Sequence, residues 1–236
     1  MSDPLAGKFI VFEGGEGSGK TTQLHQLQHW LLQHDTFQKL MDAGAIAGIR
    51  TTREPGGTPL GKQIRHLLLN SHETPIASRA ELLLYAADRA QHVEETLKPW
   101  LAQGYWVLCD RYTDSTVAYQ GYGRQLDFEL IETLNKIATQ KLRSDLTLWL
   151  NLPLEVGLNR MRQRAAADRI EQASLDFHQR VSEGFTALAQ QVPGAVPSCS
   201  GPAMVKIDGD RSIEAVAEHI QQVIQSQLLQ WYPQYL

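Results

Sequence analysis

Residues 14–21 have the spacing Gly-x-x-x-x-Gly-Lys-Thr, which is typical of a loop that binds phosphate groups. Its glycines permit backbone conformations that turn successive N–H groups inward, and such a nest attracts phosphate oxygens. Lys20 can reach the β- and γ-phosphates of a nucleotide, and the Thr21 hydroxyl can hold Mg²⁺. Nucleotide binding is therefore predicted for Gly14, Gly15, Glu16, Gly17, Ser18, Gly19, Lys20, Thr21 and Thr22.

The flanking sequence supports this interpretation over an accidental glycine-rich turn. Residues 8–13 (KFIVFE) indicate a buried strand before the loop, and leucines at helical spacing follow it in residues 20–33. A helix that begins at the loop adds partial positive charge where phosphate binds. The strand, the turn and the helix are therefore all consistent with a phosphate-binding loop.

The loop alone does not separate GTPases, transport ATPases and small-molecule kinases. A GTPase is expected to carry Asp-x-x-Gly and Asn-Lys-x-Asp motifs. Neither is present, and the nearest match, residues 135–138, lacks the final Asp. Large ATPases are expected to have more chain than these 236 residues. The length therefore favours a compact kinase.

A kinase with an anionic acceptor needs a second set of cations. Arg53 precedes a Pro-Gly-Gly turn, where its guanidinium can fork onto a phosphate. Asp110 and Arg111 directly follow the third predicted strand, at the edge where parallel sheets bind ligands, so we expect Asp110 to hold Mg²⁺ and Arg111 to hold the acceptor phosphate. Tyr85 and Arg89 share one side of a helix, which suits stacking on a base and donation to its carbonyl oxygen. An ordinary turn, a structural ion pair and helix packing are the alternatives.

Three arginines, Arg160, Arg162 and Arg164, occupy alternate positions after the fourth predicted strand and do not share one helical face. A solvated surface helix is one interpretation. The functional interpretation is a lid that closes over the nucleotide and brings cations to the transferring phosphoryl group. Alignment and charge stabilisation dominate this chemistry, and closure would exclude water.

The elements that position these residues alternate between apolar runs and helical patterns, which is typical of an α/β fold with a parallel sheet. Strands are predicted at 8–13, 48–52, 105–109, 145–150 and 204–207, and helices at 20–33, 79–103, 127–140, 153–164, 174–191 and 212–230. We therefore expect one domain over residues 1–236, a three-layer P-loop NTPase sandwich whose five-stranded parallel sheet is flanked by helices and carries a short lid.

Composition narrows the class of protein further. The net charge of −4 argues against non-specific nucleic-acid binding, and no apolar run approaches a membrane span of about 20 residues. Residues 1–7 lack the features of a signal peptide. Cys109 and Cys199 show no metal-ligand spacing and are interpreted as free thiols in a reducing cytosol.

Five segments in order resemble the thymidylate kinase family: residues 12–22, 52–57, 110–112, 115–120 and 168–171, within a resemblance that runs from about 8 to 210. The resemblance implies a cytoplasmic homodimer that transfers the γ-phosphoryl group of ATP to dTMP with Mg²⁺ and binds neither nucleic acid nor membrane. Another nucleoside or nucleoside monophosphate kinase is the first alternative. A non-catalytic P-loop module is the second, although it would not need two sets of arginines.

The resemblance also implies roles for individual residues. Glu16 matches an acidic position near the acceptor 3′-hydroxyl, and Arg53 and Arg111 match the arginines that hold the dTMP phosphate. Tyr85 stands where the family usually has a Phe that stacks on thymine. Arg89 matches the arginine that contacts the edge of the base.

The same resemblance places Thr116, Tyr119 and Gln120 around the nucleoside, with Tyr119 against the 2′ carbon, where it would disfavour a ribonucleotide. The phosphate loop contains no Arg, so the family pattern assigns the catalytic arginine to a lid at about 157–170. Arg164 is predicted to contact the transferred phosphoryl group beside Lys20, and Arg160 to pack on adenine. Residues 34–47 and the aromatic tail 227–236 depart from the family, and the tail could dock on its own domain or on a second subunit.

Overall fold

A computed structural model of the chain describes residues 7–70, 75–163, 168–190 and 204–235. Within these ranges, five strands form one parallel sheet in the order β2-β3-β1-β4-β5. The strands are β1 (Phe9–Glu13), β2 (Gly48–Arg53), β3 (Tyr105–Asp110), β4 (Leu146–Asn151) and β5 (Val205–Asp208). In the register, Phe12 of β1 pairs with Asp110 of β3 and with Leu148 of β4. The central strand therefore delivers the phosphate loop beside the predicted Asp110–Arg111 pair.

Helices cover both faces of the sheet. They are α1 (Lys20–Gln33), α2 (Asp35–Asp42), α3 (Pro59–Asn70), α4 (Ser78–His92), α5 (Lys98–Ala102), α6 (Thr113–Thr116), α7 (Phe128–Thr139), α8 (Leu154–Arg162), α9 (Leu175–Gln190) and α10 (Ile213–Trp231). Two π-helical turns extend them, since Val93–Leu97 joins α4 to α5 and Val117–Gly123 continues α6. In the described part of the chain, no helix combines the length and the apolar character that a membrane crossing requires.

Side chains of β1 alternate between two cores, as a strand with two covered faces requires. Ile10 and Phe12 pack with residues of α1 and α10, whereas Phe9 and Val11 pack with the π-helical turn Val93–Leu97. A third apolar cluster joins α4, α7 and α9 around Trp149 of β4. The predicted three-layer α/β sandwich is thus confirmed.

All five predicted strands are present, and each end lies within one residue of its prediction. Three helices are not predicted from the sequence, and one of them, α6, has only four residues. α2 is short and buries only Phe37 and Leu40, and α3 exposes Leu60 and Leu67, which obscures its amphipathic pattern. Cys109 is a buried free thiol, whereas Cys199 lies outside the described residues.

The aromatic tail docks on its own domain. Trp106 of β3 is fully buried, and its Nε1–H donates to the Tyr232 hydroxyl at 3.0 Å. Trp231 meets the Trp106 ring edge-on at 5.3 Å, and Phe37 of α2 does so at 5.2 Å. The two segments that depart from the family therefore pack against one side chain of the sheet.

Replacing Tyr232 with Phe is expected to lower the free energy of unfolding by about 1–3 kcal/mol, because the Trp106 N–H would remain buried without its acceptor. Urea unfolding monitored by circular dichroism measures the change. Tyr235→Phe is the matched control, since Tyr235 is 39% exposed. Equal destabilisation by both substitutions would contradict the prediction.

Candidate active site

The phosphate loop leaves β1 in backbone conformations that suit glycine. Gly14, Gly17 and Gly19 have φ values of 145°, 70° and 88°. A Cβ atom on Gly14 would lie 2.6 Å from the Leu150 carbonyl oxygen, so a side chain there would displace the loop from β4. The predicted nest is therefore formed by the backbone, as a phosphate site at a helix N-terminus requires.

Lys20 lies inside this loop. Its Nζ donates to the carbonyl oxygens of Gly14 at 3.1 Å and Gly15 at 2.8 Å. Burial, assisted by the positive charge of Arg111, lowers the pKa of Lys20 to about 8. A phosphate in the loop would supply the negative charge that favours the ammonium form.

The predicted metal ligands, Thr21 and Asp110, lie next to each other. The Thr21 hydroxyl donates to Asp110 Oδ2 at 2.6 Å, across the gap between α1 and the end of β3. A hydroxyl and a carboxylate are hard oxygen ligands of the kind Mg²⁺ binds beside nucleotide phosphates. The two residues therefore fit a Mg²⁺ ion.

Arg111 connects the phosphate loop to the acceptor side. Its backbone has a φ of 73°, and its guanidinium donates to Gly14 O at 2.9 Å and to Glu16 Oε1 at 2.6 Å. It also donates to the Tyr119 hydroxyl at 3.0 Å, and that hydroxyl donates to Glu16 Oε1 at 2.7 Å. Burial alone would raise the pKa of Glu16, but the charges of Arg111 and Lys20 lower it to about 2. Glu16 is therefore ionised at neutral pH.

A cavity of about 560 Å³ lies beside this group, and it is lined by the predicted residues Glu16, Tyr85, Arg89, Arg111, Thr116, Tyr119 and Gln120. Arg89 is 2% exposed and donates to Glu54 Oε2 at 2.7 Å, Thr116 Oγ1 at 2.8 Å, Asn135 Oδ1 at 2.7 Å and Tyr112 O at 3.0 Å. A guanidinium carries five N–H groups. Contacts with described residues use four of them, which leaves one N–H on Nη2 without a partner in the described part of the chain.

A second cavity, of about 710 Å³, contains the phosphate loop together with Arg53, Asp110 and Arg111. Five residues line both cavities, and they mark the place where the two meet: Glu16, Glu54, Arg65, Arg111 and Asp168. The predicted donor side and the predicted acceptor side are thus joined at Arg111.

A third cavity, of about 740 Å³, lies on the other side of the loop and is lined by Arg160, Gln23, Gly209 and residues 211–213. Arg160 donates to the Gly209 carbonyl oxygen at 3.2 Å. The position suits the predicted packing of Arg160 on a nucleotide base. Arg164 lies outside the described residues, so its predicted contact with the transferred phosphoryl group stays a prediction.

Comparison with known proteins agrees with this geometry. The family model described as thymidylate kinase matches residues 12–220. This chain belongs to the thymidylate kinase family. It is 52% identical to a thymidylate kinase of Cyanothece sp., with 98% of each chain covered, and 50% identical to one of Acaryochloris marina, with 97% of this chain and 100% of the relative covered. A crystal structure of thymidylate kinase from Ehrlichia chaffeensis is similar with a TM-score of 0.68 at 31% identity, over 93% of this chain and 99% of that one.

Several residues that line or support the site of this thymidylate kinase family member are not predicted from the sequence. Arg65 of α3 lines both phosphate-side cavities and donates to the Pro55 carbonyl oxygen at 2.9 Å. Glu54 holds Arg89, and Glu81 binds Gln120 at 2.9 Å. No local spacing marks these residues, because their partners are distant in sequence. Only the position of Glu54 in the 52–57 segment gives a signal.

Asp88 is expected to make stability depend on pH. It is 1% exposed, its Oδ1 accepts from the Gly56 N–H at 2.9 Å, and its Oδ2 has no partner among the described residues. Burial, and then the charge of Glu54, raises its pKa from 3.8 to about 7. Between these values the folded state holds a proton that the unfolded chain releases. The contribution of protonated Asp88 to the free energy of unfolding is therefore complete below the unfolded-state pKa of 3.8. It is lost as pH rises through the folded-state pKa of about 7.

We expect the wild-type free energy of unfolding to fall, relative to an Asp88→Asn variant, by about 2 kcal/mol between pH 5 and pH 7. Urea unfolding at both pH values measures the difference. Asp42→Asn, at an exposed position at the end of α2, is the control and should follow the wild-type profile. Parallel profiles for wild type and Asp88→Asn would show that Asp88 does not titrate in this range.

Proposed function

We propose that this protein is a thymidylate kinase, which transfers the γ-phosphoryl group of ATP to dTMP and so forms dTDP for dTTP synthesis. The observation that carries the proposal is the meeting of a phosphate-loop cavity with an acceptor cavity at Glu16 and Arg111. A phosphoryl group has to pass between two nucleotides, and this junction is where they would meet. The names of the relatives support dTMP as the acceptor.

On the donor side, the backbone N–H groups of residues 14–22 would hold the ATP phosphates, and Lys20 would contact the β- and γ-phosphates. Thr21 and Asp110 would hold Mg²⁺, which would neutralise charge on the phosphate oxygens. Arg160 would pack on adenine. Arg164, in a lid at about 157–170 of a single domain, would contact the transferred group.

On the acceptor side, Arg53 and Arg111 would bind the dTMP phosphate and hold it in line with the γ-phosphorus. Glu16 would accept a hydrogen bond from the 3′-hydroxyl, and Tyr119 would exclude a 2′-hydroxyl. The base would stack on Tyr85, next to Thr116 and Gln120, and receive the remaining N–H of Arg89. Because the acceptor is already a phosphate anion, no general base is needed, and alignment and charge stabilisation supply the catalysis.

An ADP-release assay with ATP, Mg²⁺ and a panel of monophosphates tests the function. We expect strong preference for dTMP, weaker turnover of dUMP and negligible turnover of UMP, dCMP, dGMP and AMP. Robust turnover of UMP or dCMP with little of dTMP would indicate another monophosphate kinase. ATP binding without turnover of any acceptor would indicate a non-catalytic module.

We also propose a homodimer in the cytoplasm. Exposed apolar side chains lie on three neighbouring helices, with α4 packed between α3 and α7: Leu60, Leu67, Leu83, Leu130 and Ile137. A second copy of this face would cover them, as a stable interface requires. Light scattering should give twice the chain mass, and Leu83→Asp should give a monomer. The control Leu175→Asp, at an exposed position on α9, should leave a dimer.

A further inference from the structure

A buried carboxylate, Glu81 of α4, lies next to the acceptor cavity and is 0% exposed. Its Oε1 accepts from Gln120 Nε2 at 2.9 Å and from Arg124 Nε at 3.1 Å. Its Oε2 accepts from Arg124 Nη2 at 3.0 Å and from Arg169 Nη2 at 2.6 Å. The carboxylate thus joins α4, the π-helical turn Val117–Gly123 and the 168–171 segment, with two acceptor positions filled on each oxygen.

Glu81 is ionised in this setting. Burial alone would raise its pKa, but the hydrogen bond and charge of Arg124, with the bonds from Gln120 and Arg169, lower it. An ionised carboxylate only accepts hydrogen bonds. Gln120 must therefore turn the NH₂ end of its amide towards Glu81. The two ends of an amide have nearly the same shape, so the hydrogen bond to the ionised Glu81 decides which end is oxygen and which is nitrogen.

The carbonyl end of the same amide is left for a ligand. Gln120 is 2% exposed and lines the acceptor cavity together with Tyr85 and Arg89. Among the described residues, no N–H or O–H group donates to Gln120 Oε1. A ligand in the cavity shields this oxygen from water, so a ligand that cannot donate to it loses about 1–3 kcal/mol relative to one that can.

We propose that Glu81 is a positioning residue that fixes the polarity of the Gln120 amide and thereby selects an acceptor base with a ring N–H over one with a bare ring nitrogen. The inference rests on the proposed function, in which the base is thymine. Thymine presents its N3–H between two carbonyl groups, whereas cytosine presents an unprotonated N3 beside an amino group. The remaining N–H of Arg89 matches the thymine O4 carbonyl, and Gln120 Oε1 matches N3–H.

Glu81→Gln should reverse this polarity. An amide at position 81 has one NH₂ end, which must face either Gln120 and one Arg124 N–H or two arginine N–H groups. The first arrangement is favoured because it places the new NH₂ group against one arginine N–H, whereas the second places it against two. The new NH₂ group would then donate to Gln120 Oε1, and the Gln120 amide would turn its own NH₂ group towards the base.

The test is steady-state kinetics of the full chain with dTMP and dCMP, since cytosine has an unprotonated N3. Wild type should prefer dTMP over dCMP by at least about 10- to 100-fold in kcat/KM, because cytosine donates no ring N–H to Gln120 Oε1. In Glu81→Gln the preference for dTMP over dCMP should fall at least about tenfold, because the NH₂ group of Gln120 would then face the base.

Glu81→Asp is the matched control, because it is shorter but still only accepts hydrogen bonds. It should keep the wild-type preference for dTMP over dCMP even if its turnover falls. If Glu81→Gln and Glu81→Asp both lose activity and keep the wild-type preferences, Glu81 is a structural residue and the inference is wrong. If wild type itself does not prefer dTMP in the monophosphate panel, the proposed function fails first, and the two failures are therefore distinguishable.

Discussion

Replacing Lys20 with Met is expected to lower kcat by about 10²–10³-fold, because a cation directed at charge that develops in the transition state is lost. KM for dTMP should change by less than about threefold, since Lys20 is not proposed to contact the acceptor. Met keeps the length of the side chain, so the loop backbone around Gly14 and Gly15 should be preserved. Pre-steady-state phosphoryl transfer with saturating ATP measures the effect.

The same residue predicts a pH dependence in the wild type. Burial lowers the pKa of Lys20 to about 8 in the free protein, so the ammonium form is lost as pH rises above that value. We expect kcat/KM for ATP to decline above about pH 8, because this parameter follows ionisations of the free enzyme. The exposed control Lys39→Met should retain both wild-type kcat and the wild-type pH profile. A Lys20→Met variant with wild-type kcat would show that Lys20 does not stabilise the transferred group.

The fold was largely predictable because its signals are local. The three central strands β3, β1 and β4 are short apolar runs, because two covered faces make such runs nearly continuous. α3 escaped prediction because Leu60 and Leu67 face outward, where a second subunit is proposed to cover them. Local periodicity cannot identify an amphipathic helix whose apolar side chains lie on both its buried and its exposed faces.

The residues of the candidate site also divide into those that the sequence predicts and those that it does not. Residues in contiguous motifs, such as Lys20 and Arg111, were predictable because a loop or a strand end fixes their place. Glu81 was not, because its partners follow it by 39, 43 and 88 positions and meet only when α4, the π-helical turn and the 168–171 segment pack together. Ordered motifs identify the groups that touch substrate, whereas the groups that orient them depend on tertiary packing.

Replacing Arg111 with Lys is expected to lower kcat/KM for dTMP by about 10²–10³-fold, although the charge is retained. The guanidinium donates at once to Gly14 O, Glu16 Oε1 and the Tyr119 hydroxyl, at 2.9, 2.6 and 3.0 Å. A lysine ammonium is a point charge that cannot keep this fork and also bind the acceptor phosphate. Initial rates over a range of dTMP concentrations at saturating ATP measure the loss.

Thymidine, which has the base and sugar of dTMP but no phosphate, separates the proposed role of Arg111 from damage to the pocket. If Arg111 acts on the acceptor phosphate, thymidine should inhibit Arg111→Lys with nearly the wild-type inhibition constant while dTMP binds far more weakly. The exposed Arg143→Lys control should leave both ligands unaffected. Equal weakening of thymidine and dTMP would instead mean that Arg111 supports the Glu16–Tyr119 wall of the pocket. Arg111 contacts both Glu16 and Tyr119, so a supporting role in the pocket wall is the alternative that the thymidine measurement has to exclude.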